Sequence, residues 1–139
     1  MALEAGLIFD DDTKFYMVQD VNYEITQSYD NNYKPSGNPK GGIINFTILS
    51  PEPNDLTFHE WLLSVKLKKS GQFALPIVKN IKHDFKHIFF TDAYCVGLRE
   101  YHSGSNGLQV YMQITICASI IEFGKDKRVK FTNNGLVAK

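Results

Sequence analysis

The sequence predicts a mainly β protein of about seven strands, mostly antiparallel, with two long hairpins and one α-helix. Three observations carry that prediction. First, residues 108–120 alternate cleanly: Leu108, Val110, Met112, Ile114, Ile116, Ala118 and Ile120 share one face, opposite Gln109, Tyr111, Gln113, Thr115, Cys117 and Ser119. Second, Ser103-Gly104-Ser105-Asn106-Gly107 separates that run from another long one, 86–101, rich in Ile, Phe, Tyr and Val, as a hairpin turn does. Third, one segment alone has a convincing helical period, with Phe58, Trp61, Leu62 and Val65 at i, i+3, i+4 and i+7. One helix among many strands points to a small barrel or a sandwich rather than an α/β fold. A length of 139 residues suits one domain, 1–139. With 43% hydrophobic and 22% charged residues, neither disorder nor a fibrous class is indicated.

In chain order, residues 4–9 read as a short strand that turns at Asp10-Asp11-Asp12-Thr13, since Asp bonds its own downstream backbone. Residues 14–29 read as one long strand, or two broken by a bulge near Gln19-Asp20, with Val21, Tyr23, Ile25, Gln27 and Tyr29 on one face. Residues 43–49 form the next strand, stopped by Pro51-Glu52-Pro53. The helix is expected over about 55–67. Asn54 or Asp55 would cap it, Thr57 and Glu60 would form a capping box, Lys66, Lys68 and Lys69 would sit at its C-terminus, and Ser70-Gly71 would end it. Residues 72–78, weakened by Pro76, read as an edge strand, and 79–85 as a polar connector. Gly124 to Asp126 turn the chain into a last strand at 128–132, and the tail 133–139 is expected to be flexible.

The stretch 30–42, Asp-Asn-Asn-Tyr-Lys-Pro-Ser-Gly-Asn-Pro-Lys-Gly-Gly, is polar and holds two of the five prolines. Pro and Gly this dense continue neither flanking strand. It is therefore a long arm between two strands, well beyond the two-to-five-residue hairpin loop, and connections of that size are usually functional or disordered. The expectation is that it docks on a neighbouring subunit.

Several classes fall away. Zero net charge argues against nucleic acid as a partner, and no apolar run approaches the ~20 residues of a membrane span, so no membrane insertion is expected. The N-terminus lacks a basic region followed by an apolar one, so no signal peptide is expected and assembly would be cytoplasmic. Charge is uneven, however: Glu4, Asp10, Asp11, Asp12, Asp20, Glu24 and Asp30 stand against Lys14 early, and Lys125, Lys127, Arg128, Lys130 and Lys139 against Asp126 late. These are either two ordinary solvated surfaces or the oppositely charged faces of a subunit that associates head to tail.

No constellation for catalysis stands out, so the chain is not expected to be an enzyme, and no cofactor is expected. Cys95 and Cys117 would lie diagonally on paired strands, roughly 7–8 Å apart, too far for an unstrained disulfide. His83 and His87 have i, i+4 spacing, but on a segment running into a strand, so no metal site is expected. Gly37 to Gly42 matches the glycine spacing of a phosphate loop, yet lacks the Lys-Ser/Thr and the helix. Asn45-Phe46-Thr47 is a sequon by coincidence in a chain with no leader. The face from Gln109 to Ser119 is polar but nearly uncharged. It suits either an ordinary exposed sheet face or a wall facing a confined aqueous space or a partner.

The run 34–45 resembles the arm of the tube proteins of type VI secretion systems, called Hcp or TssD, in their Bacteroidetes form. His59-Glu60-Trp61-Leu62 and Asp92-Ala93-Tyr94-Cys95-Val96 are similar to that family in order and spacing, over about residues 23–122. The resemblance implies a β-barrel with a flanking helix, six subunits closing into a ring, and rings stacking into a hollow tube. A contractile sheath would propel the tube, a spike would tip it, and effectors would ride in its lumen, so the protein would end secreted or inside a target cell. It also implies an arm that reaches an adjacent subunit, with Tyr33, Lys34, Pro35, Ser36, Gly37, Pro39, Lys40 and Gly41 as contact residues. Gln109, Tyr111, Gln113 and Thr115 are the candidate lumen wall. The alternatives are a monomeric barrel that binds a hydrophobic or peptide ligand, and a tube-like adaptor for one effector.

Overall fold

The computed structural model of the chain describes residues 5–79, 82–102, 110–127 and 129–133. Among the described residues eight strands and one helix follow in order: β1 (Gly6–Phe9), β2 (Tyr16–Tyr23), β3 (Ile43–Leu49), α1 (Thr57–Leu63), β4 (Lys69–Lys79), β5 (Lys82–Tyr101), β6 (Tyr111–Cys117), β7 (Ile120–Phe123) and β8 (Val129–Thr132). Every pairing is antiparallel. The order β4-β1-β2-β3-β6-β5 closes through a β4–β5 pairing into a six-stranded barrel, and β7 and β8 lie outside it. Closure removes the free edges that a sheet of this size would otherwise expose.

The period-two pattern explains which side chains fill the barrel. Ile44, Phe46 and Ile48 on β3 face inward, as do Met112, Ile114 and Ile116 on β6, and all are buried. Phe9, Phe73 and Phe90 join them from β1, β4 and β5. Helix α1 contributes Phe58 and Trp61, both fully buried, and the Trp61 indole Nε1–H donates to Ala93 O at 3.0 Å. The rings meet edge-on and tilted: Phe9–Trp61 at 5.5 Å, Tyr16–Phe58 at 5.0 Å and Phe46–Phe73 at 5.0 Å between centroids. Aromatic and aliphatic side chains together thus fill the barrel interior.

Several boundaries differ from expectation, each for a local reason. The helix is Thr57–Leu63 rather than 55–67. Ser64 leaves the helix, and its Oγ accepts the amides of Lys66 and Leu67, which turns the chain. Val65 is consequently exposed, and the three lysines lie beyond the helix. The expected capping box is absent: the Thr57 hydroxyl donates to Asp55 Oδ1 at 2.6 Å, and the Thr57 amide donates to the same oxygen. Ser70 and Gly71 belong to β4. There Gly71 is required, because a Cβ would come within 2.6 Å of Ile8 O on β1. The strand expected at an edge is not one: β4 pairs with both β1 and β5 in the closed barrel, and Pro76 is accommodated because it sits past the end of β1, where β4 has β5 alone as neighbour and its missing N–H costs no ladder bond. Residues 79–85 are not a connector: β4 runs to Lys79 and β5 starts at Lys82, and these two residues pair. The alternation expected over 108–120 breaks at Ala118-Ser119, where the Ser119 amide donates to Thr91 O and its hydroxyl to Asp92 O. The phase shifts by one, and Ile121 rather than Ile120 is buried. The hairpin turn 103–107, Leu108 and Arg128 lie outside the described residues. The bulge expected near Gln19-Asp20 is present, between Val18 and Asp20.

Candidate functional site

Strand β2 stops at Tyr23, six residues earlier than the pattern predicts. From there to Gly42 the chain forms a narrow two-legged ribbon. Thr26 and Lys40 exchange backbone bonds of 2.8 and 2.6 Å, Ser36 N–H donates to Ser28 O at 2.9 Å, and Tyr29 pairs with Pro35. The Gln27 side-chain amide donates to Gly37 O at 2.9 Å. The arm is therefore longer than the expected 30–42 and is structured by its own bonds. Its tip is a turn closed by Asp30, whose backbone bonds Tyr33 and Lys34 and whose Oδ1 accepts the amides of Asn32 and Lys34.

Every residue from 26 to 40 is exposed. The ribbon thus holds its shape without burying side chains against the barrel. The two tip tyrosines stack on each other, 5.8 Å between centroids, with Tyr33 83% and Tyr29 67% exposed. Tyr33 also has φ 64°, a left-handed conformation that costs a non-glycine residue roughly 1 kcal/mol. That conformation closes the Asp30 turn, where the Tyr33 amide donates to Asp30 O at 3.0 Å. At the arm's base Gly42 has φ 105°. A Cβ there would approach the Asn133 amide nitrogen at 2.6 Å and Ala118 O at 3.0 Å. Asn133 donates to Gly41 O, and Ala118 N–H to Gly42 O, tying the base to the barrel. Of the eight arm residues predicted from sequence, Tyr33 to Lys40 lie in the exposed ribbon and Gly41 in its anchored base. Sequence reasoning missed Tyr29, which alternation placed on a strand.

The candidate lumen-wall residues lie on the outer face of the barrel. Tyr111, Gln113 and Thr115 alternate with the buried Met112, Ile114 and Ile116 on β6; Gln109 lies outside the described residues. Register extends that face across four strands, in a row of Asn22, Asn45, Thr115 and Gly97 beside a row of Asp20, Thr47, Gln113 and Arg99. The Thr115 hydroxyl donates to Asn45 Oδ1 at 2.7 Å. The guanidinium of Arg99 lies 5.1 Å from the Tyr101 ring centroid.

The other end of β2 and β3 carries the strongest electrostatic perturbation. Burial raises the Asp55 carboxyl, but the Thr57 hydroxyl, the Tyr16 hydroxyl, the Thr57 amide and Lys14 outweigh it and hold its pKa at about 2. Burial pushes Tyr16 up to about 12. These groups pin the loop before the helix to the start of β2. Cys95 and Cys117 are both reduced, and burial raises both thiols. Among the described residues no three His, Cys, Asp or Glu side chains converge as metal ligands.

No curated protein matches the chain. Among solved structures, Hcp1 from Flavobacterium johnsoniae superposes with a TM-score of 0.72 at 23% identity, covering 94% of this chain and 100% of that one. Hcp1 from E. coli EAEC 042 gives 0.68 at 13% identity, over 94% and 97%. A type VI secretion system effector from Yersinia pestis gives 0.60 at 11%, over 92% and 95%. At these identities the likeness shows the fold. The family follows from the sequence, because residues 1–134 match the model described as hemolysin coregulated protein Hcp (TssD). The chain belongs to the Hcp (TssD) family, the structural tube proteins of type VI secretion, and not to a family of enzymes.

Proposed function

We propose that this chain is a tube subunit that assembles through its arm: six copies close into a ring, rings stack into a hollow tube, and the arm joins one copy to the next. Hcp proteins form hexameric rings, and this family assignment supports a homo-oligomer here. The single observation that carries the role of the arm is the ribbon 26–40, ordered by its own bonds yet exposed along its whole length. A preformed edge with aromatic tips binds at low entropic cost. The contacts are assigned to Tyr33, Lys34, Pro35, Ser36, Gly37, Pro39, Lys40 and Gly41. Tyr111, Gln113 and Thr115, with Gln109, are assigned to the lumen wall; an outward face that is polar and uncharged on β6 supports that assignment.

On this reading a contractile sheath and a spike are the tube's partners, effectors travel in its lumen, and the subunit is assembled in the cytoplasm before export. No helix among the described residues is long and apolar enough to cross a membrane. Negative-stain microscopy of purified protein tests the reading. Rings of uniform diameter are expected, and a monomer across a wide concentration range would overturn it. Deleting residues 34–40 is expected to keep the far-ultraviolet circular dichroism of the barrel and to weaken ring or tube formation. Loss of the β signal in that variant would place the arm in the folding core instead.

A further inference from the structure

The arm has a complementary groove on the same chain, placed where its own copy cannot use it. Strands β2 and β3 are an antiparallel pair with the arm at one end. At the other end, the residues just before and at the start of β2 and just after β3 line a groove of about 650 Å³. At about 3.3 Å per residue the eight-residue β2 puts arm base and groove roughly 23 Å apart, with the arm pointing away. The bridges Thr26–Lys40 and Tyr29–Pro35 continue the β2–β3 pairing beyond Tyr23–Ile44, so the ribbon, roughly 15–20 Å long, leads away from its own groove.

The chemistry of the two ends matches. Phe15, laid over Gly6, is 49% exposed, and Met17, Leu49 and Pro51 extend the apolar floor. Glu52 is exposed on the rim. The acidic turn Asp10–Asp12 lies beside it, with Asp12 Oδ1 accepting the Lys14 amide at 3.2 Å; Asp11 is paired with Lys69 at 3.8 Å and the rim's Lys14 with Asp55 at 3.3 Å, which leaves Glu52, Asp10 and Asp12 as the rim's acidic groups. The arm offers a stacked Tyr29–Tyr33 pair, Pro35, Lys34 and Lys40, while its Asp30 carboxylate accepts bonds within its own turn. The arm's base also stands next to the β7–β8 hairpin, since Tyr23 packs on Phe123 at 5.4 Å; in its turn Lys125 lies 3.9 Å from Asp84 and Lys127 lies over the Phe89 ring. An apolar floor with an acidic rim at one end thus faces aromatic tips with Lys34 and Lys40 at the other. Rigid tyrosines in an apolar slot are the usual anchors of a protein interface.

We propose that the groove floored by Phe15, Met17, Leu49 and Pro51 is the receptor for the arm tip of a second copy, with Tyr33 on the floor and Lys34 facing Glu52. The inference rests on the tube reading and adds which surface receives the arm. Repeated head to tail with a displacement along the strands, such a heterologous contact propagates stacking.

Paired cysteines test it. In Tyr33→Cys/Glu52→Cys protein, mild oxidation should give an intermolecular ladder on non-reducing gels. The single Tyr33→Cys variant and a Tyr33→Cys/Lys130→Cys pair should not. Charge reversal gives a second readout: Lys34→Glu or Glu52→Lys alone should lower the stacked fraction about fivefold at low salt, and the combination should recover it. Rings without the 33–52 ladder, a ladder equally strong in either control, or a double reversal that does not recover stacking overturns the groove while leaving the tube reading in place. A chain that forms no rings overturns both.

Discussion

Trp61 and Tyr33 mark two opposite uses of an aromatic ring in this chain. Trp61 is fully buried, sits against Phe9 at 5.5 Å, Phe58 at 6.3 Å and Phe90 at 6.5 Å, and gives its one polar hydrogen to Ala93 O. Tyr33 touches chiefly Tyr29, is 83% exposed, and has an unfavourable backbone conformation. The first ring lowers the free energy of the folded monomer. The second stacks only on the arm's own Tyr29 and buries nothing against the barrel, so its main energetic return is expected in the assembly. Stability and assembly should therefore separate cleanly by region, and mutations that fail to separate them would break the comparison.

The largest expected effect lies in the barrel. Trp61→Ala removes the ring at the centre of the aromatic cluster and leaves Ala93 O without its donor. It should cost about 3–5 kcal/mol in chemical denaturation, and more than that leaves a chain of this size largely unfolded. A loss below about 1 kcal/mol would mean that the helix is an ornament on the barrel and not its plug.

Asp55 gives the next largest effect, and it has a pH signature. Its folded-state pKa of about 2 lies below the ordinary aspartate value near 4. Its contribution is therefore present in full above about pH 4 and lost as pH falls through about 2. Asp55→Asn should cost about 1–2 kcal/mol at neutral pH and flatten the stability profile between those two values. An unchanged acid limb in urea titrations would show that the Thr57, Tyr16 and Lys14 contacts do not hold the loop.

Tyr33→Gly sharpens the comparison further, because it moves the two readouts in opposite directions. Glycine accepts φ 64° freely, so the monomer should be unchanged or up to about 1 kcal/mol more stable. Ring stacking, seen as tube length in negative stain, should fall. A stabilised monomer that still stacks normally would remove Tyr33 from the interface.

How much of this was legible in the sequence depends on which force decides each element. Strand faces set by burial were readable: β3 and β6 alternate as expected, and Phe58 and Trp61 form the helix's inner face. The arm was visible as a Pro- and Gly-rich interruption, yet its legs were not, because Ile25, Gln27 and Tyr29 continue the alternation of β2 and no local signal says that they leave the sheet. The helix end at Leu63 was hidden for a related reason. Val65 fits the helical period, and a Ser64 turn outweighs it. The groove could not be read at all, since it joins residues 14–17 to 49–55 across a barrel whose register no single segment encodes. Phe15 looked like one more strand residue until the structure laid it over Gly6, half open to solvent.

The smallest expected effect bears on the sheet face rather than the arm. The Thr115 hydroxyl donates to Asn45 Oδ1 at 2.7 Å, in a row that runs on to Asn22. Thr115→Val keeps the β-branched shape and removes that bond. On a half-buried position, where water can replace the donor, the loss should be about 0.5–1 kcal/mol. The two readings of the face then part. If it lines an aqueous lumen, the added methyl meets water, and rings should form at the wild-type concentration threshold. If it packs on a neighbouring subunit, Asn45 is left without a donor in a dry contact, and ring formation should shift to higher concentration by about tenfold or more. Sedimentation of the variant across a dilution series distinguishes them, and a shifted threshold would move Gln113 and Thr115 from the lumen wall into the subunit interface.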